Sequence, residues 1–179
     1  MAVLVLDSSV LSAFARANRL ADLERLTHGD THVTTRAVLD ELAGGSSLHP
    51  VLANVAQQPW IHAVSVDSLA ELVVFNEYVR ILGSSSRNIG EASVLAHAEI
   101  RSAVAFVDDQ AAVRAGKERR VNVRRSLGVV TEGIHRQILA HEEASALVDD
   151  LVRLGGARLP CDGASFLAWA ERQGLLPHR

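Results

Sequence analysis

Two adjacent aspartates follow a short apolar segment in the second half of the chain. Asp108 and Asp109 come directly after AVAFV, and Asp7 follows AVLVL near the amino end in the same way. Short continuous apolar segments are typical of parallel strands that are covered on both faces. A carboxylate buried at the end of such a strand costs free energy unless hydrogen bonds or a cation compensate its charge.

Two glutamates extend this pattern. Glu91 stands in the first turn of the helical segment GEASVLAHAEI, and Glu41 lies in the helical segment RAVLDELA. Function in open parallel sheets sits beyond the carboxyl ends of the strands, where these acids could meet Asp7 and the aspartate pair. Such a cluster requires a hard divalent cation, and Mg²⁺ or Mn²⁺ prefers oxygen ligands. The ion would activate water and stabilise charge on a phosphoryl oxygen.

Each acid also has a structural explanation when it is taken alone. Asp7 could simply cap the following helix. Asp109 and Glu91 could simply be negative charges that the helix macrodipole favours at an amino terminus. Glu41, beside Asp40, could belong to a solvated helix face. Asp108 could be a ligand or could orient one. The hypothesis of one site depends on all these positions fitting together.

The elements around these acids predict a three-layer α/β/α fold with a mainly parallel central sheet and additional C-terminal helices. Strands are predicted over residues 2–6, 32–35, 61–66, 103–107 and 121–123. We expect one domain over residues 1–179, in which residues from about 126 to 179 form a helical extension. In the helix DSLAELVVFNEYVRIL, the apolar stripe is expected to contain Leu69, Leu72, Val73, Val79 and Leu82. His97 and His135 are expected at the surface or at a rim.

Composition narrows the class of protein. The chain has 179 residues with a formal net charge of -3, which argues against a generally basic nucleic-acid binder. Its one cysteine, Cys161, allows neither an internal disulfide nor a cysteine-rich zinc site, as is usual in a reducing cytoplasm. We expect no signal peptide and no membrane span.

A local basic segment, RAGKERRVNVRR, follows the aspartate pair after one helix. Its cations could bind RNA phosphates in a salt-dependent and largely sequence-independent way. The alternative is a solvated helix end, where the helix dipole favours cations near the carboxyl terminus. The predicted RNA-binding residues are Arg114, Lys117, Arg119, Arg120, Arg124 and Arg125.

Four segments in this order and at these spacings resemble the PIN-domain family, closest to its prokaryotic VapC-like branch with GEA and DD motifs. They are VLDSSVLSAF, VTTRAVLDELAG, IGEASVLAHAEI and AFVDDQAAVRAG. The resemblance covers nearly the whole chain. It implies a cytoplasmic Mg²⁺- or Mn²⁺-dependent endoribonuclease, often a homodimer, which as the toxin of a toxin–antitoxin pair would be neutralised by a small antitoxin protein.

The resemblance also implies roles for the acids. The catalytic residues would be Asp7, Glu41, Glu91 and Asp109, and the metal ligands Asp7, Glu91, Asp108 and Asp109. Ser9 stands where many members have Asn, and Gln110 where this branch often has Arg. The usual Thr-x-Asp reads Val-Asp-Asp here, which leaves the division of labour between the two aspartates open.

Three other interpretations compete with this one. A haloacid-dehalogenase-type phosphotransferase needs a second Asp two residues after the first, where this chain has Ser9. A response-regulator receiver needs an Asp at the end of a middle strand and a Lys after the fifth strand, whereas Lys117 lies within a predicted helix. A catalytically silent PIN-like module that binds RNA or a protein remains the alternative to an enzyme.

Overall fold

A single parallel sheet organises the chain in the computed structural model, which describes residues 1–177 without the side chains of residues 86 and 87. Residues 178 and 179, the end of the predicted C-terminal extension, lie outside the described residues. The strands are β1 Val3–Leu6, β2 Thr31–Thr35, β3 Ile61–Val64, β4 Val104–Phe106 and β5 Asn122–Arg124. They pair in the order β3-β2-β1-β4-β5, and every pairing is parallel.

Helices connect and cover these strands. The helices of the described residues are α1 Ser8–Arg16, α2 Leu20–Leu26, α3 Arg36–Gly45, α4 Leu69–Leu82, α5 Ser86–Ile100, α6 Gln110–Glu118, α7 Ser126–His135, α8 His141–Arg153 and α9 Phe166–Arg172, with a 3₁₀ helix at Pro50–Gln57. The prediction of a three-layer α/β/α fold with a parallel sheet and C-terminal helices is confirmed.

The two central strands, β1 and β4, carry the most buried part of the sheet. Leu4, Val5 and Leu6 of β1 and Ala105 and Phe106 of β4 are fully inaccessible to solvent. Their continuous apolar sequences follow from this position, because both faces of a central parallel strand lie against helices. The chain leaves β1 towards β2 and leaves β4 towards β5, in opposite directions along the sheet. A crevice therefore opens beyond their carboxyl ends, as at any such switch point of an open α/β sheet.

The predicted apolar stripe of α4 is wrong. Leu69, Leu72 and Val73 lie largely in solvent, whereas Glu71 and Tyr78 form the fully buried part of the helix. Val79 and Leu82 are partly buried and pack against the core. The reason is a polar contact that hydrophobic periodicity cannot represent: α4 turns a carboxylate and a phenol towards α5.

Glu71 is bound from several sides. Its carboxylate accepts a hydrogen bond from Ser68 Oγ at 2.5 Å, contacts His97 Nδ1 at 2.9 Å and pairs with Arg101 Nε at 3.2 Å. The expected surface position of His97 is therefore wrong, because its ring is buried between α4 and α5 in this contact. Burial raises the pKa of Glu71, but the hydrogen bonds from Ser68 and Arg101 outweigh it and lower the pKa to about 2.

Tyr78 is held by a second polar contact with α5. Its hydroxyl donates to Glu99 Oε2 at 2.7 Å, and the Arg119 guanidinium lies 5.1 Å from the ring centroid. The position of α5, which carries Glu91, is thus fixed by polar pairs as well as by apolar packing. No helix within residues 1–177 combines the length and the apolar character needed to cross a membrane.

We expect Glu71→Gln to lower the free energy of unfolding at pH 7 by about 2 kcal/mol, because it removes a buried, hydrogen-bonded charge from its partners. A carboxylate with a lowered pKa stabilises the fold above its usual pKa and loses that contribution as pH falls towards 2. The difference between variant and wild type should therefore shrink between about pH 4.5 and pH 2.

Urea unfolding at several pH values measures this difference. The matched control is Glu77→Gln on the same helix, which removes a half-exposed partner of Arg119 and should cost less than about 1 kcal/mol. Equal costs for the two variants would contradict the structural role of Glu71.

Candidate active site

Asp7 is the most buried acid at the carboxyl edge of the sheet. It follows β1 directly, its backbone N–H donates to Phe106 O of β4 at 3.1 Å, and its side chain caps α1. Asp7 Oδ2 accepts hydrogen bonds from Ser9 N at 3.1 Å and Ser9 Oγ at 2.6 Å. Asp7 Oδ1 is buried and accepts no hydrogen bond within the described part of the chain.

The surroundings of Asp7 oppose its charge. Burial raises the pKa of the Asp7 carboxyl, the Ser9 hydrogen bonds lower it, and the negative charge of Asp108 raises it further. The net effect is a raised pKa, because loss of hydration outweighs the hydrogen bonds at Oδ2. Helix capping uses Oδ2 alone, so it does not explain why Oδ1 is buried as well.

One residue, Val107, separates Asp108 from the end of β4. The amino terminus of α7 donates hydrogen bonds to the Asp108 side chain. Asp108 Oδ1 accepts from Ser126 N at 2.9 Å, and Asp108 Oδ2 accepts from Ser126 Oγ at 2.6 Å. Burial raises the pKa of Asp108 in spite of these hydrogen bonds and of the nearby Arg125 charge. Both oxygens thus hold a fixed orientation, with further lone pairs available to a second partner.

Asp109 differs from its neighbour in exposure and in partners. It caps α6, where Asp109 Oδ1 accepts from Ala111 N at 2.7 Å and Ala112 N at 3.0 Å, and the residue is exposed. The two adjacent aspartates are therefore anchored to two different helices. Asp108 is the one whose charge acts on Asp7.

The two glutamates enter from neighbouring helices. Glu91 is buried in the first half of α5, and Glu41 is partly buried on α3. A β-carbon on Gly90 would lie 2.7 Å from Glu41 Oε2, so the Glu41 carboxylate lies against the bare Cα of Gly90. A hydrogen bond of 2.7 Å between Thr35 Oγ1, which caps α3, and Ser93 Oγ also joins the two helices. The glycine of the GEA motif thus has a steric function.

A cleft of about 500 Å³ joins these groups. Its lining includes Glu41, Glu91, Asp108 and Asp109, together with Ser8 and Ser9, which flank Asp7 on one side of the floor. Four of the five acids predicted from sequence therefore line one cleft, and the fully buried Asp7 lies beside it, next to the lining residue Ser8.

This donor set suits a hard divalent cation. All five side chains offer carboxylate oxygens, and Asp7 Oδ1 is a buried acceptor beside a second carboxylate. Within residues 1–177, no group of three or more His, Cys, Asp or Glu side chains is placed so that it could hold a metal ion. The fit rests on the chemistry of the acids and on the uncompensated charge of Asp7.

The six predicted RNA-binding cations are spread along α6 and over the end of β5. Helix α6 begins at the cleft and runs away from it, which places Lys117, Arg119 and Arg120 at the far end, about 13 Å along the helix axis. Arg119 is also paired with Glu99 and Glu77, each at 2.7 Å.

The other three cations lie closer to the acids. Arg124 ends β5 but pairs with Asp30 and Glu132, and Arg125 donates to the Asp108 carbonyl at 3.2 Å. Arg114 is exposed in the middle of α6. The segment therefore does not form one continuous cationic surface leading to the cleft.

Two arginines that were not predicted line the cleft. Arg16 ends α1, and Arg158 lies in the segment after α8. Ser8, Ser12 and Arg16 recur at intervals of four residues, which places them on one helix face, and this spacing was visible in the sequence. Arg158 gave no signal, because its position depends on how the C-terminal helices pack. Ser126, which holds Asp108, was also missed for this reason.

Comparison with known proteins agrees with this arrangement. A family model described as a PIN domain matches residues 3–163, while no curated protein and no solved structure matches the chain. PIN domains are in general nucleases that use divalent metal ions such as Mg²⁺. The matched region includes all five acids and the strands that carry them, and the chain belongs to the PIN-domain family.

Proposed function

We propose that the chain is a divalent-metal-dependent endoribonuclease that hydrolyses phosphodiester bonds in RNA. The observation that carries this proposal is the fully buried Asp7, whose Oδ1 accepts no hydrogen bond from the described residues while Asp108 adds a like charge. A buried carboxylate with a raised pKa beside a cleft is a typical sign of a functional site. The general nuclease character of PIN domains agrees with it.

Asp7, Glu91, Asp108 and Asp109 would hold Mg²⁺ or Mn²⁺, either directly or through water. The chemistry that such an ion supplies when bound is activation of water for attack and stabilisation of negative charge on phosphate oxygens. Binding would also remove the electrostatic cost of the acids, because a dication compensates carboxylates that repel one another.

The chain's own residues would position these groups before the substrate arrives. Ser9 and Ser126 fix the carboxylates of Asp7 and Asp108, so little reorganisation is needed during the reaction. Glu41 lies against Gly90 on the opposite helix and would orient the attacking water or a second ion. Asp109, at the exposed mouth, would complete the ligand set.

The resemblance to the VapC-like branch also suggests a role in the cell. The chain would act in the cytoplasm as the toxin of a toxin–antitoxin pair, as a homodimer, with a small antitoxin as its inhibitor. The GEA and DD motifs support this branch. Glycine at position 90 leaves room for the Glu41 carboxylate, and both aspartates line the cleft.

Asp7→Asn and Glu41→Gln should each reduce RNA cleavage by at least about 100-fold, as is usual for removal of a group that acts on the transition state. The assay measures cleavage of a labelled single-stranded RNA with Mg²⁺ or Mn²⁺, and EDTA should abolish it. The matched control is Asp40→Asn: Asp40 is the exposed neighbour of Glu41 on α3, and its loss should leave the rate unchanged.

The proposal fails if purified wild-type protein does not cleave RNA with either ion, or if Asp7→Asn cleaves as fast as wild type. Equal losses in Asp40→Asn and Glu41→Gln would assign the effect to the charge of α3 rather than to the cleft. Circular dichroism of each variant establishes that the fold is retained.

Asp7→Asn should stabilise the metal-free protein at pH 7. A carboxyl with a raised pKa binds its proton more tightly in the folded state, so its contribution to stability falls as pH rises through that raised pKa. Asparagine removes this cost, and each kcal/mol relieved raises Tm by about 2–4 °C in a chain of this size. The gain should diminish as pH falls and Asp7 of the wild type becomes protonated.

Thermal denaturation with and without Mn²⁺ measures both effects. The ion should raise Tm of the wild type much more than that of Asp7→Asn, because only binding to the folded state stabilises it. A variant that is less stable than wild type without metal at pH 7 would contradict the cost assigned to the buried charge.

Gly90→Ala should lower the cleavage rate by at least about tenfold while leaving stability equal or higher. The new β-carbon would meet Glu41 Oε2 at 2.7 Å, so the end of that flexible side chain must move. Alanine favours a helix over glycine by about 1 kcal/mol, which offsets the small cost of this shift. Comparing cleavage rate with Tm in the same preparation separates the two effects, and a fall in Tm with an unchanged rate would refute the explanation.

A further inference from the structure

The cleft does not end at the acids but continues along one face of α1. Ser8, Ser12 and Arg16 line it, and their spacing of four residues places them in a row on the helix. The rise of an α-helix separates Ser8 from Arg16 by about 12 Å along the axis. The amino end of this row adjoins Asp7, and its other end is a guanidinium.

The guanidinium of Arg16 lies against a glycine of the segment after α8, and a second glycine brings that segment close to α1. A β-carbon on Gly156 would lie 2.9 Å from Arg16 Nη1 and 3.1 Å from Nη2, so the guanidinium lies against bare backbone. Gly156 has a φ of +70°, which glycine adopts without strain. A β-carbon on Gly155 would lie 2.5 Å from Ala13 O, so only glycine lets the segment approach α1 this closely. Arg158 follows on the same wall.

Neither of these two cations has an acidic partner, whereas seven other arginines of the described residues have one. Arg19, Arg119 and Arg124 each pair with two carboxylates. Within residues 1–177, no carboxylate lies at ion-pair distance from Arg16 or Arg158, although both line a cleft with acidic residues at one end. A cation that lines a cleft without a carboxylate partner is available to an anion from outside.

The remaining lining indicates the kind of anion. Leu42 and Leu52 add apolar surface to the lining, and no Phe, Tyr or Trp of the described residues lines the cleft. The site therefore offers phosphate contacts and an apolar surface, but no stacking platform that would distinguish bases.

We propose that Arg16 and Arg158 bind a backbone phosphate of the RNA strand on the side away from the acids, so that the strand lies along α1 with its scissile phosphate at the acids. This rests on the proposed ribonuclease function. The arginines position the substrate without contacting the reacting atoms, and they take over the role that the sequence assigned to the segment from Arg114 to Arg125.

The test compares Arg16→Gln, Arg158→Gln and the double variant with wild type. Binding of a labelled single-stranded RNA is measured by fluorescence anisotropy with Ca²⁺ in place of Mg²⁺, over a range of salt concentrations, with intact RNA checked on a gel. Each single variant should weaken binding by about tenfold at low salt. The double variant should also lower the slope of log affinity against log salt by about 0.7, as for loss of one phosphate contact, and each single variant by less than that.

Cleavage kinetics give an independent readout. Loss of a phosphate contact remote from the reacting bond should raise KM with a smaller change in kcat, and Arg16→Lys should restore part of the affinity. The matched control is Arg25→Gln, since Arg25 is an exposed arginine of α2 that pairs with Asp22 and does not line the cleft. It should leave the affinity and the salt slope unchanged.

The outcomes separate this inference from the proposed function. Wild-type protein that binds RNA but never cleaves it would end the ribonuclease proposal, while the arginine variants would still decide the binding role. Unchanged affinity and salt slope in the folded double variant, or wild-type protein that binds no RNA, would overturn the role of Arg16 and Arg158.

Discussion

The site depends on one physical constraint, which is the burial of the Asp7 carboxylate at the junction of β1 and β4. The backbone of Asp7 continues the pairing of these strands through its hydrogen bond to Phe106 O. Its side chain is consequently buried away from water, and Ser9 donates hydrogen bonds to only one of its two oxygens. Because β1 and β4 are the best-packed strands, the residue cannot relax outward without disturbing the core. The remaining acids are arranged around this fixed charge.

Buried carboxylates in this molecule fall into two kinds, and the direction of the pKa shift separates them. Glu71 is as inaccessible to solvent as Asp7, yet hydrogen bonds from Ser68 and Arg101 outweigh the effect of burial and lower its pKa, so its charge is satisfied within the fold. The pKa values of Asp7 and of the half-buried Asp108 are raised, because loss of hydration outweighs the hydrogen bonds that these carboxylates accept. Such a carboxyl either binds a proton or carries a charge at a free-energy cost that a cation from outside would relieve. Proteins accept such local costs where function requires them.

The sequence predicted what depends on local pattern and missed what depends on distant side chains. Strands that are continuous and apolar can be recognised alone, so the parallel sheet and the placement of Asp7 and Asp108 at its carboxyl edge could be predicted. The buried face of α4 could not, since Glu71 is inward only because Arg101 and His97 of the next helix meet it. Charge density along the chain also misled: Arg119 and Arg124 are clustered in sequence, but each is bound by carboxylates from other segments.

The residues after 125 contact the candidate site at two places and are not a separate extension of the domain. Ser126 fixes both oxygens of Asp108, and the close approach of Gly155 to Ala13 brings Gly156 against Arg16. The acids thus depend on the amino terminus of α7, and the cationic end of the cleft depends on the carboxyl end of α8. A change in the packing of α8 on α1 would move Arg158 relative to Arg16 and the acids without altering any carboxylate. The C-terminal helices therefore set the length of the cleft, while the sheet sets its charge.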